Sequence, residues 1–515
     1  MRSKDSMLNA TIGVSGNVLK YILTFVVRMF FIQMLGDLSN SVNGLFSNIL
    51  TVLSIAELGL GFAICYSLYK PLADGNENKA NLLVHFYKKI YRVIGVIILC
   101  LGLALLPFLE IIIGSENMIE NIYIIYFLYI IKTCFSYWMF SYRSVIIEAD
   151  QKKYKIQKFN YLFDILCSLV QLLVLYFLKS FIGYMLVAIA FIIFRNIFIG
   201  IYVGKKYPYI RRIPEGNLSK TEKKELYKNI YAVSLFKIGG VVYTSSDTII
   251  IAISPLLSFL LVGYYNNYIL IFSALVSLIG SFVNSISASI GNFNITESPE
   301  KKKKLFDVIS FVNFWAYGVL AVCCFSLISP FVSIFFKSQS VLSIEIVIAL
   351  IINFVMNGLG GSVSLFKDSC GLFYKGRFRP LVSAILNIIF SVALIYPFGL
   401  LGVIIGTILS KICTTLWYDT NLVYRDVFHT SSKSYYFNYL LKFLFISAVA
   451  GLAYFASTLI VIDSVWIWIL AGFVFFVATN FLFILCFHKN KNFVYLVEKM
   501  KFLFKQKNKK EKIKK

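Results

Sequence analysis

Among the ionisable side chains set into long apolar runs, ten stand where their types suggest chemistry. Seven are cationic (Lys20, Arg28, Lys132, Arg143, Arg195, Lys237 and Lys411) and three acidic (Glu57, Asp164 and Asp247). A charge at mid-bilayer costs at least ~2.5–3.5 kcal/mol on insertion scales, so each is expected to face a cavity, a partner or the membrane boundary. In a partly dehydrated cavity Arg holds phosphate through its planar fork and Lys holds it as a point charge. The seven cations are therefore read as lining a substrate cavity suited to phosphate. For Lys20, Arg143, Lys237 and Lys411, nearer the inner boundary, snorkelling is the alternative. Glu57, Asp164 and Asp247 are too short to snorkel and are read as ion-coupling or gating groups. For Glu57 a salt bridge to Lys132 is the structural alternative. No catalytic or metal site is expected: three histidines cannot build a zinc cluster, and the nine cysteines include no C-x-x-C pair. The thiols read as small apolar residues. No cofactor is implied beyond coupling to an H+ or Na+ gradient.

Spacing groups these side chains. Asn17, Lys20, Thr24 and Arg28 fall on one helical face, as do Lys132, Ser136 and Arg143, then Asn353, Asn357, Ser364 and Asp368, and finally Thr407 and Lys411.

The elements that carry them are membrane helices. Of 515 residues, 59% are hydrophobic and 15% charged, against roughly 25% charged in soluble domains. The excess lies in runs long enough to cross about 30 Å of hydrocarbon as helices, which satisfy their own backbone groups. The short alternating runs of a membrane barrel are absent. Spans are predicted near 11–35, 43–69, 90–113, 121–145, 158–178, 182–203, 230–253, 259–290, 306–328, 341–366, 380–396, 400–422, 439–460 and 465–487. The fold class is thus an all-α polytopic membrane protein of about fourteen transmembrane helices. No cleavable signal peptide is evident, so the first span is expected to remain.

The net charge of +25 sits in short connections and a tail, which excludes a nucleic-acid-binding domain. One alternate set of connections is basic, with eight Lys and Arg in 204–229 alone. The other holds only Lys179 and Lys337 against Asp37, Glu116, Glu120 and Asp463. Basic connections stay cytoplasmic, so both termini are expected inside. The external loops are too short to house an active site, and no enzyme is expected.

The chain also repeats itself. Val42–Asn48 is similar to Val262–Asn267 with Gly44 set on Gly263, and Lys153-Tyr154 lies close to Tyr374-Lys375, both displaced by close to 220 residues. Two pseudo-symmetric six-helix lobes follow, 1–228 and 229–424, then two appended helices in 425–487 and a basic cytoplasmic tail at 488–515. Transporters built from parallel repeats bind substrate between the halves. The same alignment sets Arg28 opposite Asp247, as a gate or coupling pair across the axis or as residues pairing locally in each half.

The stretch Ala56-Glu57-Leu58-Gly59-Leu60-Gly61, followed by Tyr66–Ala73, and the stretch Ser246–Ile251 leading to Val262–Tyr265 resemble the oligosaccharide flippases of the multidrug/oligosaccharidyl-lipid/polysaccharide (MOP) exporter superfamily, the Wzx-type proteins. The resemblance implies a MATE-like, V-shaped pair of lobes around a cationic cavity. It also implies a cargo of undecaprenyl-pyrophosphate-linked oligosaccharide, moved from the inner to the outer leaflet of the bacterial cytoplasmic membrane for capsule or exopolysaccharide synthesis. The implied partners are this lipid-linked oligosaccharide, membrane lipid, and the polymerase and glycosyltransferases of polysaccharide synthesis. Spans 13 and 14, rich in aromatics such as Phe445, Trp468 and Phe475, would form a lipid-tail groove or anchor in lipid. A lipid II flippase and a multidrug exporter of the same superfamily are the alternatives.

Overall fold

In the computed structural model, residues 2–57, 60–372, 375–499 and 501 are described. Leu58, Gly59, Tyr374 and the end of the basic tail, 502–515, lie outside them. All regular structure among the described residues is helical. In chain order the α-helices are α1 Arg2–Leu53, α2 Leu60–Ala73, α3 Glu77–Leu105, α4 Leu109–Ile113, α5 Ile122–Trp138, α6 Ser144–Ala149, α7 Lys153–Leu178 and α8 Phe181–Lys206. They continue as α9 Lys220–Ile253, α10 Leu260–Thr296, α11 Pro299–Phe336, α12 Ile344–Ser369, α13 Arg379–Lys411, α14 Thr420–Val423, α15 Lys433–Thr458 and α16 Val465–Phe487.

Twelve helical stretches among the described residues are long and apolar enough to cross a membrane. Two of them fold back on themselves. Gly36 (φ 82°) breaks α1, and Gly399 (φ 56°) breaks α13; both conformations belong to glycine because a Cβ would collide with the backbone. In an unbroken helix Asn387 and Thr407 would stand about 30 Å apart, yet Asn387 donates to the Thr407 hydroxyl at 2.7 Å. The two arms meet so closely that a Cβ on Gly402 would lie 2.0 Å from the Leu394 carbonyl oxygen. Likewise Arg28 donates to Asn40, twelve residues on. Fourteen crossings follow only if each of these two helices is counted as two spans.

Other departures from the expected spans have local causes. The helix α9 starts ten residues early because Ser219 and Glu222 form a capping box. The helix α5 stops at Trp138, where Phe140 takes a left-handed conformation (φ 55°). Beyond Lys411 the chain runs through two π-helical segments, Ile412–Asp419 and Tyr424–Phe428. The start of the expected tail is helical over 491–499, where Phe493 stacks on Trp315 with centroids 5.4 Å apart.

The chain divides into two compact units, Met1–Ser285 with Tyr374–Ser410, and Ile286–Phe373 with Lys411–Lys515. The expected lobe boundary after residue 228 falls inside the first. Within the first unit the two matched segments pack on each other. Gly263 N–H and Leu260 C=O both bond the Ser41 hydroxyl, at 3.0 and 3.2 Å. Asn40 donates to Asn267 at 3.2 Å and Asn48 to Asn266 at 3.4 Å. A Cβ on Gly44 or Gly263 would press into the opposite helix at 2.9 or 2.7 Å, so the absence of a side chain is what lets the two helices cross this closely.

In the second unit α15 and α16 lie on α11. Val322 packs with Val449 and Ala450, and Leu327 with Ala471 and Phe475. Trp468 donates to the Leu327 carbonyl at 3.1 Å, whereas Trp466, Phe473 and Phe476 face outward. The aromatics of these two helices are thus divided between packing on α11 and an exposed outer face.

Candidate functional site: a cationic cavity in the first unit

Four of the ten singled-out residues converge on one cavity of about 240 Å³, to which α1 gives Lys20, α5 gives Lys132, α7 gives Asp164 and α8 gives Arg195. Its construction starts at Gly16, where a Cβ would fall 2.1 Å from the Tyr161 ring. The bare glycine lets α7 close onto α1, and the Tyr161 hydroxyl bonds Asn17 Oδ1 at 3.2 Å. About one turn further along each helix, Lys20 and Asp164 form an ion pair at 3.3 Å. Arg195 reaches the other carboxylate oxygen at 3.2 Å. Lys132 makes no hydrogen bond or ion pair within the described residues; its ammonium lies 5.6 Å from the Tyr129 ring centroid. The Arg195 Nε is buried and has no acceptor. Two of the three cations therefore share one carboxylate while the third has no anionic partner among the described residues, and their N–H donors outnumber the acceptors offered to them.

Arg28 sits on the same face of α1, bonded to Asn40, with Phe31 one turn on stacking edgewise against Tyr184 of the cavity wall at 5.0 Å. The face shared by Asn17, Lys20, Thr24 and Arg28 is thus the side of α1 on which the cavity lies. Asp247 is buried and accepts from Tyr265 at 3.0 Å and Thr407 at 2.8 Å. These contacts set Arg28 beside Asn40, and Asp247 beside Tyr265 and Thr407.

The remaining residues lie elsewhere. Arg143 does not share a helix face with Lys132, because the break after Trp138 puts it in a separate 3-10 turn. There its guanidinium donates to Gly200 O at 3.0 Å and lies 4.7 Å from the Phe140 ring. Lys237 is exposed on α9. Lys411, in the second unit, donates to Asn357 at 2.6 Å and to Asn353, the polar face expected on α12. Glu57 does not pair with Lys132. It accepts from the Tyr137 hydroxyl at 2.9 Å and from Tyr91, which in turn receives a 2.5 Å bond from Tyr87.

Two features escaped sequence reading. A second cavity in the first unit, about 670 Å³, lies where α2, α3 and α9 meet, with Lys70, Lys79, Asp74, Glu222 and Glu225 among its lining; charges of both signs line it. In the second unit Lys367 and Asp419 form an ion pair at 2.8 Å with side chains only 1% and 0% exposed.

No protein-family description matches this chain, and no curated protein sequence does. Solved structures share its fold. The lipid II flippase MurJ in an inward closed conformation is similar with a TM-score of 0.65 at 14% identity, over 92% of this chain and 99% of that one. A multidrug resistance MATE family transporter of the MOP superfamily, inward-facing, gives 0.62 at 14% identity over 86% and 99%. An outward-facing structure of such a transporter gives 0.55 at 15% identity over 87% and 97%. The chain is a multi-pass membrane protein with the fold of MATE transporters and MurJ.

Proposed function

We propose that this protein is a flippase of the MOP type. In this reading it moves an undecaprenyl-pyrophosphate-linked oligosaccharide repeat unit from the inner to the outer leaflet for cell-surface polysaccharide synthesis, by alternating access. The single observation that carries it is the cavity between α1, α5, α7 and α8: three cations, one carboxylate, and a buried Arg195 Nε with no acceptor. A diphosphate diester brings two negative charges and several acceptor oxygens, which complements that surplus. A cavity for cationic drugs would want the opposite sign, so the multidrug reading fits the lining less well.

The sidedness proposed here is that of the basic connections, with both termini cytoplasmic in a bacterial inner membrane. The two six-helix lobes, coupling to an H+ or Na+ gradient, and partnership with a polymerase and glycosyltransferases belong to the same proposal. Lipid II, also a lipid-linked diphosphate sugar, is the second reading; its diphosphate would meet the same surplus of cations.

The test is reconstitution. Purified protein in liposomes should move a fluorescent lipid-linked oligosaccharide between leaflets, and Lys132→Ala should slow it by about tenfold or more, the equivalent of one charge-assisted bond lost. Equal movement of a neutral glycolipid, or an unchanged rate in Lys132→Ala, would overturn the reading.

A further inference from the structure

The cavity's one carboxylate is placed in an unexpected way for an ion-coupling group. Asp164 spans two cations from two different helices, one oxygen toward Lys20 at 3.3 Å and the other toward Arg195 at 3.2 Å. Its side chain is only 26% exposed, as is that of Arg195 at 25%. This is the arrangement by which an anion with two adjacent oxygens bridges a Lys and an Arg. Meanwhile Lys132 has no oxygen partner among the described residues, and Arg195 keeps a buried Nε without an acceptor. A single carboxylate cannot serve all three cations.

From this we infer that Asp164 is a stand-in anion: it occupies, in the substrate-free protein, the position that a phosphate of the substrate takes. The inference rests on the phosphate-binding reading of the cavity and adds a role for one residue. An incoming diphosphate engages Lys132 first, because that ammonium is unpaired. It then takes Lys20 and Arg195 by displacing the Asp164 oxygens. The carboxylate thus keeps the two cations from being left uncompensated in a low-dielectric site when the cavity is empty, and competes with substrate when it is filled. Competition of this kind makes release as well as capture possible, since the departing phosphate is replaced by a tethered anion. Asp164 is therefore a positioning and affinity-setting residue, not a ligand of the cargo.

The sign of its substitution distinguishes this role from others. A ligand or a coupling site loses affinity when its charge is removed; a competing internal anion gains it. Full-length protein in lipid nanodiscs would be titrated with inorganic pyrophosphate by calorimetry, for wild type, Asp164→Asn, Asp164→Ser, Asp164→Glu and Lys132→Met. Expected are a dissociation constant about tenfold lower for the Asn and Ser variants, a value near wild type for Glu, and weaker binding for Lys132→Met. Asp164→Ser guards against a misfolded Asn variant, and melting curves report which is folded. Saturable binding by wild type with equal or weaker binding by both neutral variants would overturn the stand-in role and leave the phosphate cavity in place. Failure of wild type and every folded variant to bind would overturn the phosphate reading itself, and this inference with it.

Discussion

Lys367 and Asp419 are the most deeply buried ion pair found among the described side chains, at 1% and 0% exposure. Removing one partner breaks an ion pair held in a low-dielectric site, which costs about 3–5 kcal/mol, whereas replacing both by apolar residues of similar size is often neutral. Lys367→Met is therefore expected to lower the melting temperature of the detergent-purified protein sharply, and Lys367→Met with Asp419→Leu to restore most of it. An additive loss in the double variant would show that the pair itself contributes nothing. Neither residue was legible in the sequence as a partner. Lys367 sits at the end of a predicted span, where a lysine reads as a boundary charge, and Asp419 lies inside the span predicted near 400–422, which pattern alone reads as plain helix. By contrast, the face carrying Lys20 was legible, because three- and four-residue spacing in an apolar run leaves little choice of side. Arg143 was misplaced for a concrete reason: the left-handed conformation at Phe140 has no glycine or proline to announce it.

At the scale of elements, the helical hairpin at Gly399 depends on two arms meeting backbone to backbone. Gly402→Ala puts a methyl group against the Leu394 carbonyl oxygen, an atom that cannot swing away, and overpacking of this kind costs about 1–3 kcal/mol. Gly360→Ala, on α12 with nothing within 4 Å of the added Cβ, should be neutral or stabilising by up to ~1 kcal/mol, since alanine is the better helix former. Comparing their melting curves checks the hairpin: equal effects would contradict the close approach of the arms. Most apolar runs could be placed from the sequence because a lipid-spanning helix needs length and little else. The ends could not, because they are set by caps and left-handed residues such as Ser219 and Phe140. The π-helical run after Lys411 leaves no composition signal, since its extra residue per turn is accommodated by packing.

For the whole molecule, the fold shared with MATE transporters and MurJ fixes the architecture, while the cargo rests on charge. The repeat detected around Gly44 and Gly263 was legible from the sequence because both positions need a bare backbone for the same close crossing. The convergence of Lys20, Lys132, Asp164 and Arg195 was only half legible. Their separate helices could each be drawn, but which faces meet is decided by packing such as that of Tyr161 over Gly16. The central claim is that this cavity carries the phosphate of a lipid-linked sugar across the bilayer. Its most direct test is leaflet-resolved measurement of lipid-linked oligosaccharide in cells lacking the protein. The account expects accumulation in the inner leaflet, relieved by wild type and not by an Arg195→Ala variant that is present at normal levels in the membrane. Normal delivery to the outer leaflet without the protein, or full relief by Arg195→Ala, would contradict it.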